Sequence, residues 1–274
     1  MEDNNMLNEL QIKLVWMLEM FHNFCLENDL RYYILGGTAL GAARHQGFIP
    51  WDDDIDIGMP RSDYNKLYLL TKGKRYSKYI FEFPGENEDY AYEFAKLYDT
   101  STTLIENTRY RTKRGIYIDI FPLDGAGQTM TEAKKNFKKI DMIYKVYSTR
   151  ICSLRKERAF SKNFAIIISR LIPDKILSYT SLINILEKKS SKLNFDSCDC
   201  VANYYGAWRE KEIADRKWFG NPKLYKFDNI EVFGPEQIDL YLNSLYGNWQ
   251  ELPPIESRKT HHDYIKLDIN NSYL

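Results

Sequence analysis

The stretch Trp51-Asp-Asp-Asp-Ile-Asp-Ile-Gly-Met59 constrains this chain more than any other, because four carboxylates (Asp52, Asp53, Asp54 and Asp56) fall within five positions beside an apolar alternation. Side chains on a β-strand alternate between faces with a period of two. Ile55 and Ile57 therefore share one face of a strand here, and Asp54 and Asp56 share the other. The isoleucines call for a core on their side. Two carboxylates held side by side remain ionised at low cost only with a cation between them. Hard oxygen ligands of this kind suit Mg²⁺ or Mn²⁺, which takes one or two protein carboxylates together with substrate phosphate oxygens.

Two more elements belong with this strand. Gly36-Gly37-Thr38 follows the apolar run "RYYIL", and Asp54 comes seventeen residues after Gly37. Glycines after a strand allow close backbone approach, and the N-terminus of the following helix favours anions, so this turn reads as a phosphate cradle. It reads equally as a plain turn with Thr38 capping a short helix to His45. Asp119 lies in "IYIDIFPLDG", where isoleucines again alternate with the acid. If the two acid-bearing strands pair, Asp119 becomes the third carboxylate, suited to a second metal or to a base for an attacking hydroxyl.

Around these elements, periodicity predicts a helix over 7–28, strands at 79–83, 93–98 and 115–121, and a helix over 62–70 capped by Ser62. The expected class is α/β (α+β), a small mixed sheet with flanking helices, a helical insertion and a C-terminal extension. The expected boundaries are a catalytic core over 1–130, a basic helical insertion over 131–199, and an extension over 200–274 that packs on the core.

Composition narrows the function classes. Thirty-eight basic residues balance thirty-eight acidic ones, so no global charge points to nucleic acid, and no nucleic-acid partner is expected. Four cysteines are too few for a disulfide framework, and Cys198-x-Cys200 is too tight for the usual zinc pair. With no apolar leader after Met1, a cytoplasmic location is expected, including the inner face of a membrane. The segment 132–162 carries ten Lys or Arg against three acids, a local charge of +7, on a helical pattern that runs to about residue 192 with a break at Pro173. It reads either as a solvated basic face or as a surface for anionic head groups, with "NFAIIISRLIPDKIL" as an interfacial helix giving peripheral membrane association.

"LGGTALGAARHQGFIPWDDDIDIGMPRSDY" resembles the signature of the LicD family of phosphorylcholine transferases, related to fukutin and fukutin-related protein. "GIYIDIFPLDG" and the late "LYGNWQELPPIESRKTHH" extend the likeness. This chain has "GTALG" where the family usually has Gly-Thr-Leu-Leu-Gly, and residues 134–203 match nothing specific. The resemblance implies a nucleotidyltransferase-superfamily fold. It also implies transfer of a phospho-alcohol such as phosphocholine from a CDP-linked alcohol donor to a sugar or lipid-linked glycan acceptor, with CMP leaving. The rival with the same carboxylates is a nucleotidyltransferase that adds NMP to a sugar or small-molecule hydroxyl.

Carried over residue by residue, Asp54 and Asp56 would hold the ion across the donor diphosphate. Asp119 would complete the metal site and orient or deprotonate the acceptor hydroxyl. Gly36, Gly37 and Thr38 would lie against phosphate, and Arg44 would neutralise charge on the transferred group or else be a surface arginine. His45 is a phosphate ligand or a structural hydrogen bonder, and Lys96 a phosphate contact. Arg258, His261 and His262 would close over donor or acceptor. Asp52 is expected to support the site, and Asp53 to serve the loop.

Overall fold

The strand bearing Asp56 pairs in parallel with the strand bearing Asp119, and the other elements are arranged about that pair. The computed structural model describes residues 2–156, 158–260, 262 and 264–274. The chain begins with α1 (Glu2–Glu27), β1 (Tyr33–Ile34), α2 (Gly36–His45), β2 (Asp56–Pro60) and α3 (Arg61–Thr71). Then come β3 (Arg75–Tyr76), β4 (Tyr79–Glu82), β5 (Ala95–Asp99), β6 (Thr103–Glu106), β7 (Lys113–Arg114) and β8 (Tyr117–Gly127). Three helices follow: α4 (Met130–Ile151), α5 (Phe160–Leu171) and α6 (Tyr179–Ser190). The last part holds β9 (Cys200–Ala202), β10 (Ile213–Asp215), α7 (Arg216–Phe219), β11 (Lys223–Phe227), β12 (Ile230–Gly234), α8 (Ile238–Tyr246) and β13 (Tyr264–Asp268).

The main sheet runs β1-β2-β8-β5-β4-β3, and β9 with β10 extends it along the far half of β8. Only the β2–β8 pair is parallel, so the sheet is mixed, as the sequence predicts. Every residue of β8 is buried, as expected of a strand covered on both faces. Ile55, Ile57, Ile118 and Ile120 have no exposed surface, which sets the core face of the pair. One hydrophobic cluster extends from Leu10 of α1 to Ile269 and takes in residues of α4, α6, β9, β12 and α8. No residue of α5 belongs to it.

Several local expectations change. Strand β2 begins at Asp56, so Asp54, expected on the same strand face, lies in the loop before it, and the strand expected over 115–121 runs on to Gly127. Helix α3 starts at Arg61 without a side-chain cap, because the Ser62 hydroxyl is bonded to Asp63 and to Arg31 instead. Likewise α2 starts at Gly36, two residues before the expected cap Thr38. The basic middle is three helices rather than two. Residues after Ile151 break it once, where Thr108 bridges Cys152, in addition to the break at Pro173. Among the described residues, no helix is long and apolar enough to cross a membrane.

A buried ion pair ties this helical segment to the sheet. Arg61, the first residue of α3, forms a bidentate contact with Asp124 of β8, with Nε–Oδ1 at 2.8 Å and Nη2–Oδ2 at 2.6 Å. Its remaining nitrogen reaches Glu187 of α6 at 2.6 Å. Asp124 has no solvent exposure, so removing the guanidinium strands a buried carboxylate. Arg61→Met is expected to lower unfolding free energy by about 3–5 kcal/mol in urea denaturation. Adding Asp124→Leu should restore much of the loss. A single substitution costing under about 1 kcal/mol would place this pair among contacts of surface strength.

Candidate active site

The glycine turn and the acid-bearing strand are bonded to each other on both sides of Asp56. Leu35 N–H donates to the Asp56 carbonyl at 2.9 Å, and Asp56 N–H donates to the Thr38 hydroxyl at 2.9 Å. Thr38 is thus not the helix cap; its buried oxygen pins the backbone of the acid. Gly36 has φ +49°, in the left-handed region that glycine enters without strain. A Cβ on Gly37 would lie 2.6 Å from Oδ2 of Asp52, and one on Gly36 would lie 3.2 Å from Oδ2 of Asp56. The two glycines therefore let carboxylates pack against the backbone of the turn. Gly36 N–H donates to the Tyr241 hydroxyl of α8 at 3.0 Å, which ties this turn to the last third of the chain.

The loop before β2 is set by α1. The Gln11 amide donates to the carbonyls of Asp52 at 2.8 Å and Ile49 at 3.3 Å. From there Asp53 turns inward, is buried, and meets Nδ1 of His262 at 2.9 Å, while Nε2 of His262 lies 3.6 Å from Oδ2 of Asp54. The imidazole stacks on Tyr264 of β13, with ring centroids 5.7 Å apart. Burial works to lower the His262 pKa, but the bond to Asp53 and the charges of Asp54 and Asp53 outweigh it and raise it to about 10. The two acids thus favour the protonated form of His262.

The acids themselves are pushed toward protonation. Burial, with help from Asp54 and Asp53, raises Asp52 to about 8. Burial and then Asp54 and Asp119 push Asp56 well above the carboxylate range. On β8, Asp119 stands opposite Asp56 on one side and Lys96 of β5 on the other. Lys96 Nζ is 2.8 Å from Oδ1 of Asp119, though out of line for a hydrogen bond, and 3.9 Å from Glu106. The ammonium also lies over the rings of Tyr117 and Tyr92, 3.2 Å and 4.2 Å from their centroids. Burial raises Asp119 to about 6 against the pull of Lys96.

Gly37, Asp52, Asp54, Asp56 and His262 line one cleft of about 810 Å³. Its wall also holds aromatic residues, Trp51, Trp208, Tyr246 and Trp249, together with Pro253 and Pro254. Arg44 also lines it, but its Nη1 already donates to the carbonyls of Trp249 at 2.9 Å and Glu251 at 3.2 Å, so it holds the wall in place. His45 does not line the cleft; its Nε2 accepts from Arg44 Nε at 3.0 Å, and its ring meets Trp51 edge-on. Arg258 is anchored on the Pro253 carbonyl at 2.9 Å and lies 5.5 Å from the Trp51 ring centroid. Neither Asp119 nor Lys96 lines the cleft; both are buried, paired with each other next to Asp56. His261 lies outside the described residues.

These residues fit a divalent cation by charge. Five carboxylates, Asp52, Asp53, Asp54, Asp56 and Asp119, share two cationic neighbours, Lys96 and His262. Oδ1 of Asp119 is buried with no aligned hydrogen bond. Among the described residues, the ligand atoms that close within 4.8 Å of one another belong to Asp53, Asp54 and His262. Asp54, Asp56 and Asp119 do not form a group of that spacing among the described residues. Asp53, expected to serve the loop, instead secures His262, and the cleft residues Tyr246 and Trp249 are not singled out in the sequence. The Asp53–His262 contact joins positions 209 residues apart and leaves no local signal.

A glycine turn leading to an acid-bearing strand, paired in parallel with a second acid-bearing strand, forms the centre of an α+β domain. Residues 29–154 match the family described as LicD/FKTN/FKRP, nucleotidyltransferase domain. Over those residues the chain is similar to the LicD family. It is similar over 93% of its length to a lipopolysaccharide cholinephosphotransferase of Haemophilus influenzae, with 29% identity over 262 residues that cover 96% of that protein. An uncharacterized protein of Rickettsia typhi is 28% identical over 165 residues, 52% of either chain. Ribitol 5-phosphate transferases of Homo sapiens and Mus musculus share 53% identity over 41 residues, 15% of this chain and 8% of theirs.

The bond from Asp56 to Thr38 gives a separable test of how the site is held. Thr38→Val keeps the shape but leaves the Asp56 amide without its acceptor, a loss of about 1–3 kcal/mol. Thermal or urea unfolding should show that loss, and Thr38→Ser should recover most of it. Equal stability of Val and Thr at this position would mean that the hydroxyl does not hold the acid strand.

Proposed function

We propose that this protein is an enzyme of the LicD type that transfers a phospho-alcohol from a CDP-linked donor to a hydroxyl of a cell-surface glycan. The acceptor oxygen attacks the phosphorus that carries the alcohol, the bond from that phosphorus to CMP breaks, and CMP leaves with the electron pair. The acceptor proton goes to a carboxylate. The observation that carries this reading is the cleft itself: a floor of acids bonded to a glycine turn, with aromatic residues in the wall. A diphosphate suits the floor in the company of a cation. An alcohol such as choline suits the wall, since a quaternary ammonium offers no hydrogen-bond donor and is held by π-faces. Two relatives, named for choline phosphate and for ribitol 5-phosphate, support the coarse class and differ in the alcohol.

Mg²⁺ or Mn²⁺ would be held by Asp54 and Asp56 with Asp119, and when bound it would supply positive charge against the donor diphosphate. The remaining roles fall to the protein. Asp119 orients the acceptor hydroxyl and takes its proton; a carboxyl raised to about 6 is better matched to that task than an ordinary one. Lys96 keeps Asp119 ionised and fixed between substrates. Gly37 and the start of α2 give the phosphates a close approach to backbone. Arg44 keeps the aromatic wall against the acid floor, and His262 balances charge as the donor enters.

Incubation with CTP, CDP-choline, CDP-ribitol and CDP-glycerol, each with Mg²⁺ and a glycan acceptor, separates this reading from nucleotidyl transfer. CMP formed from a CDP-alcohol, and no pyrophosphate from CTP, is the expected result. Pyrophosphate from CTP with NMP on the acceptor would overturn it. Asp54→Asn with Asp56→Asn should lower turnover by at least about 10³-fold while the chain stays folded, as loss of electrostatic positioning in phosphoryl transfer commonly does. Turnover within about tenfold of the parent would remove these acids from the mechanism.

A further inference from the structure

Helix α5 faces the wrong way for an ordinary surface helix. At 3.6 residues per turn, Phe160, Phe164, Ile167, Ile168 and Leu171 fall along one stripe. Their exposures are 84%, 52%, 46%, 45% and 73%. The opposite side of the helix carries Ile166 and Ser169, and these are the buried residues of α5. Docking on that side is polar: Ser169 Oγ lies 3.1 Å from the Thr149 carbonyl of α4, and the buried Arg150 guanidinium donates to the Ser169 carbonyl. Ile172 and Ile176, 37% and 75% exposed, continue the apolar surface past the end of the helix. A surface helix in water buries such a stripe, and contiguous exposed apolar patches mark a place where something else binds.

The surroundings say what that is. Residues 155–175 hold six Lys or Arg against two acids, Glu157 and Asp174. Exposed lysines stand at both ends of the stripe, Lys156 and Lys162 at one and Lys175 at the other. Asp174 is taken up by Arg150 and Arg109. At about 1.5 Å per residue the helix is roughly 18 Å long, well short of a bilayer core of about 30 Å, so it can lie in an interface but cannot span one. Pairing with a second α5 across a two-fold axis would bring the lysines of one end against those of the other, which disfavours a second copy.

We propose that α5 and the turn to Ile176 form a docking surface for an anionic lipid bilayer, with the apolar stripe at the headgroup–acyl boundary and the flanking lysines on the headgroups. This surface is separate from the acid-lined cleft and does not depend on the transfer chemistry proposed above. It would hold the enzyme at a membrane where an amphiphilic acceptor resides.

Flotation of the full chain with vesicles tests it, without nucleotide or metal. Vesicles of phosphatidylcholine alone are compared with a 7:3 mixture of phosphatidylcholine and phosphatidylglycerol at 150 mM salt. The parent protein should float with the anionic vesicles and far less with the neutral ones. Phe160→Ser with Phe164→Ser and Leu171→Ser should lower the partition coefficient by about 100-fold. Lys156→Gln with Lys162→Gln and Lys175→Gln should lower it by about 10- to 100-fold and abolish the preference for anionic lipid. The single changes Phe160→Ser and Leu171→Ser, at the two most exposed stripe positions, should each lower it about five- to tenfold, and circular dichroism checks that every variant is folded. The proposal is overturned if the parent floats with neither vesicle, or if the serine variants float as the parent does. It is also overturned if sedimentation velocity shows a parent dimer that the triple serine variant converts to monomer with no lipid binding in either, because a second copy then covers the stripe.

Discussion

The register between three adjacent strands governs what this protein can do. Strand β8 runs parallel to β2 with Asp119 opposite Asp56, and antiparallel to β5 with Lys96 opposite Asp119. A slip of one residue would turn every side chain to the other face, sending carboxylates into the core and isoleucines into the cleft. The four buried isoleucines at 55, 57, 118 and 120 oppose that slip by burial alone. Polar contacts secure both ends of the β2–β8 pair. At one end Thr38 and Leu35 hold the backbone of Asp56, and at the other Arg61 clasps Asp124. The acid floor is thus held rigid by the sheet.

That rigidity has an electrostatic cost, and the remainder of the site manages it. Burial pushes Asp52, Asp56 and Asp119 toward their neutral forms. Two cations, one from the sheet and one from the C-terminal end, offset part of the repulsion. Lys96 is walled in by aromatic rings and fixed on Asp119, whereas His262 reaches in on a segment next to β13 and bridges Asp53 and Asp54. The cleft is accordingly a joint product of the two ends of the chain, with the acid floor from residues before 130 and most of the aromatic wall from residues after 200.

The parts of this arrangement legible in the sequence are those that depend on short-range periodicity. Alternation of Ile and Asp predicts a strand at Asp56, and the same alternation around Asp119 predicts its partner strand; the in-register parallel pairing of Asp56 with Asp119 agrees, while Asp54 lies in the loop before the strand. What lay beyond reach depends on contacts between distant segments. Nothing near Asp53 announces His262, and a hydroxyl that suits a helix cap at Thr38 serves the Asp56 amide because a strand happens to lie beside it. Trp249 and Tyr246 are ordinary core candidates until α8 and the loop after it fold over the acids. Amphipathicity in α5 was visible, but the direction in which its apolar side points is set by the docking of Ser169 and Arg150 on α4.

Whether the acids gather a cation against a donor diphosphate is the point on which the functional account turns. Phosphorus NMR of a CDP-alcohol in the presence of Mn²⁺ reads this directly, because a paramagnetic ion broadens only nuclei close to it. With the parent protein, both phosphorus lines should broaden beyond the level that Mn²⁺ produces with the free donor, and the excess should vanish with Asp54→Asn and Asp56→Asn. Excess broadening that persists unchanged in that double variant would contradict the account, as the ion would then be held elsewhere.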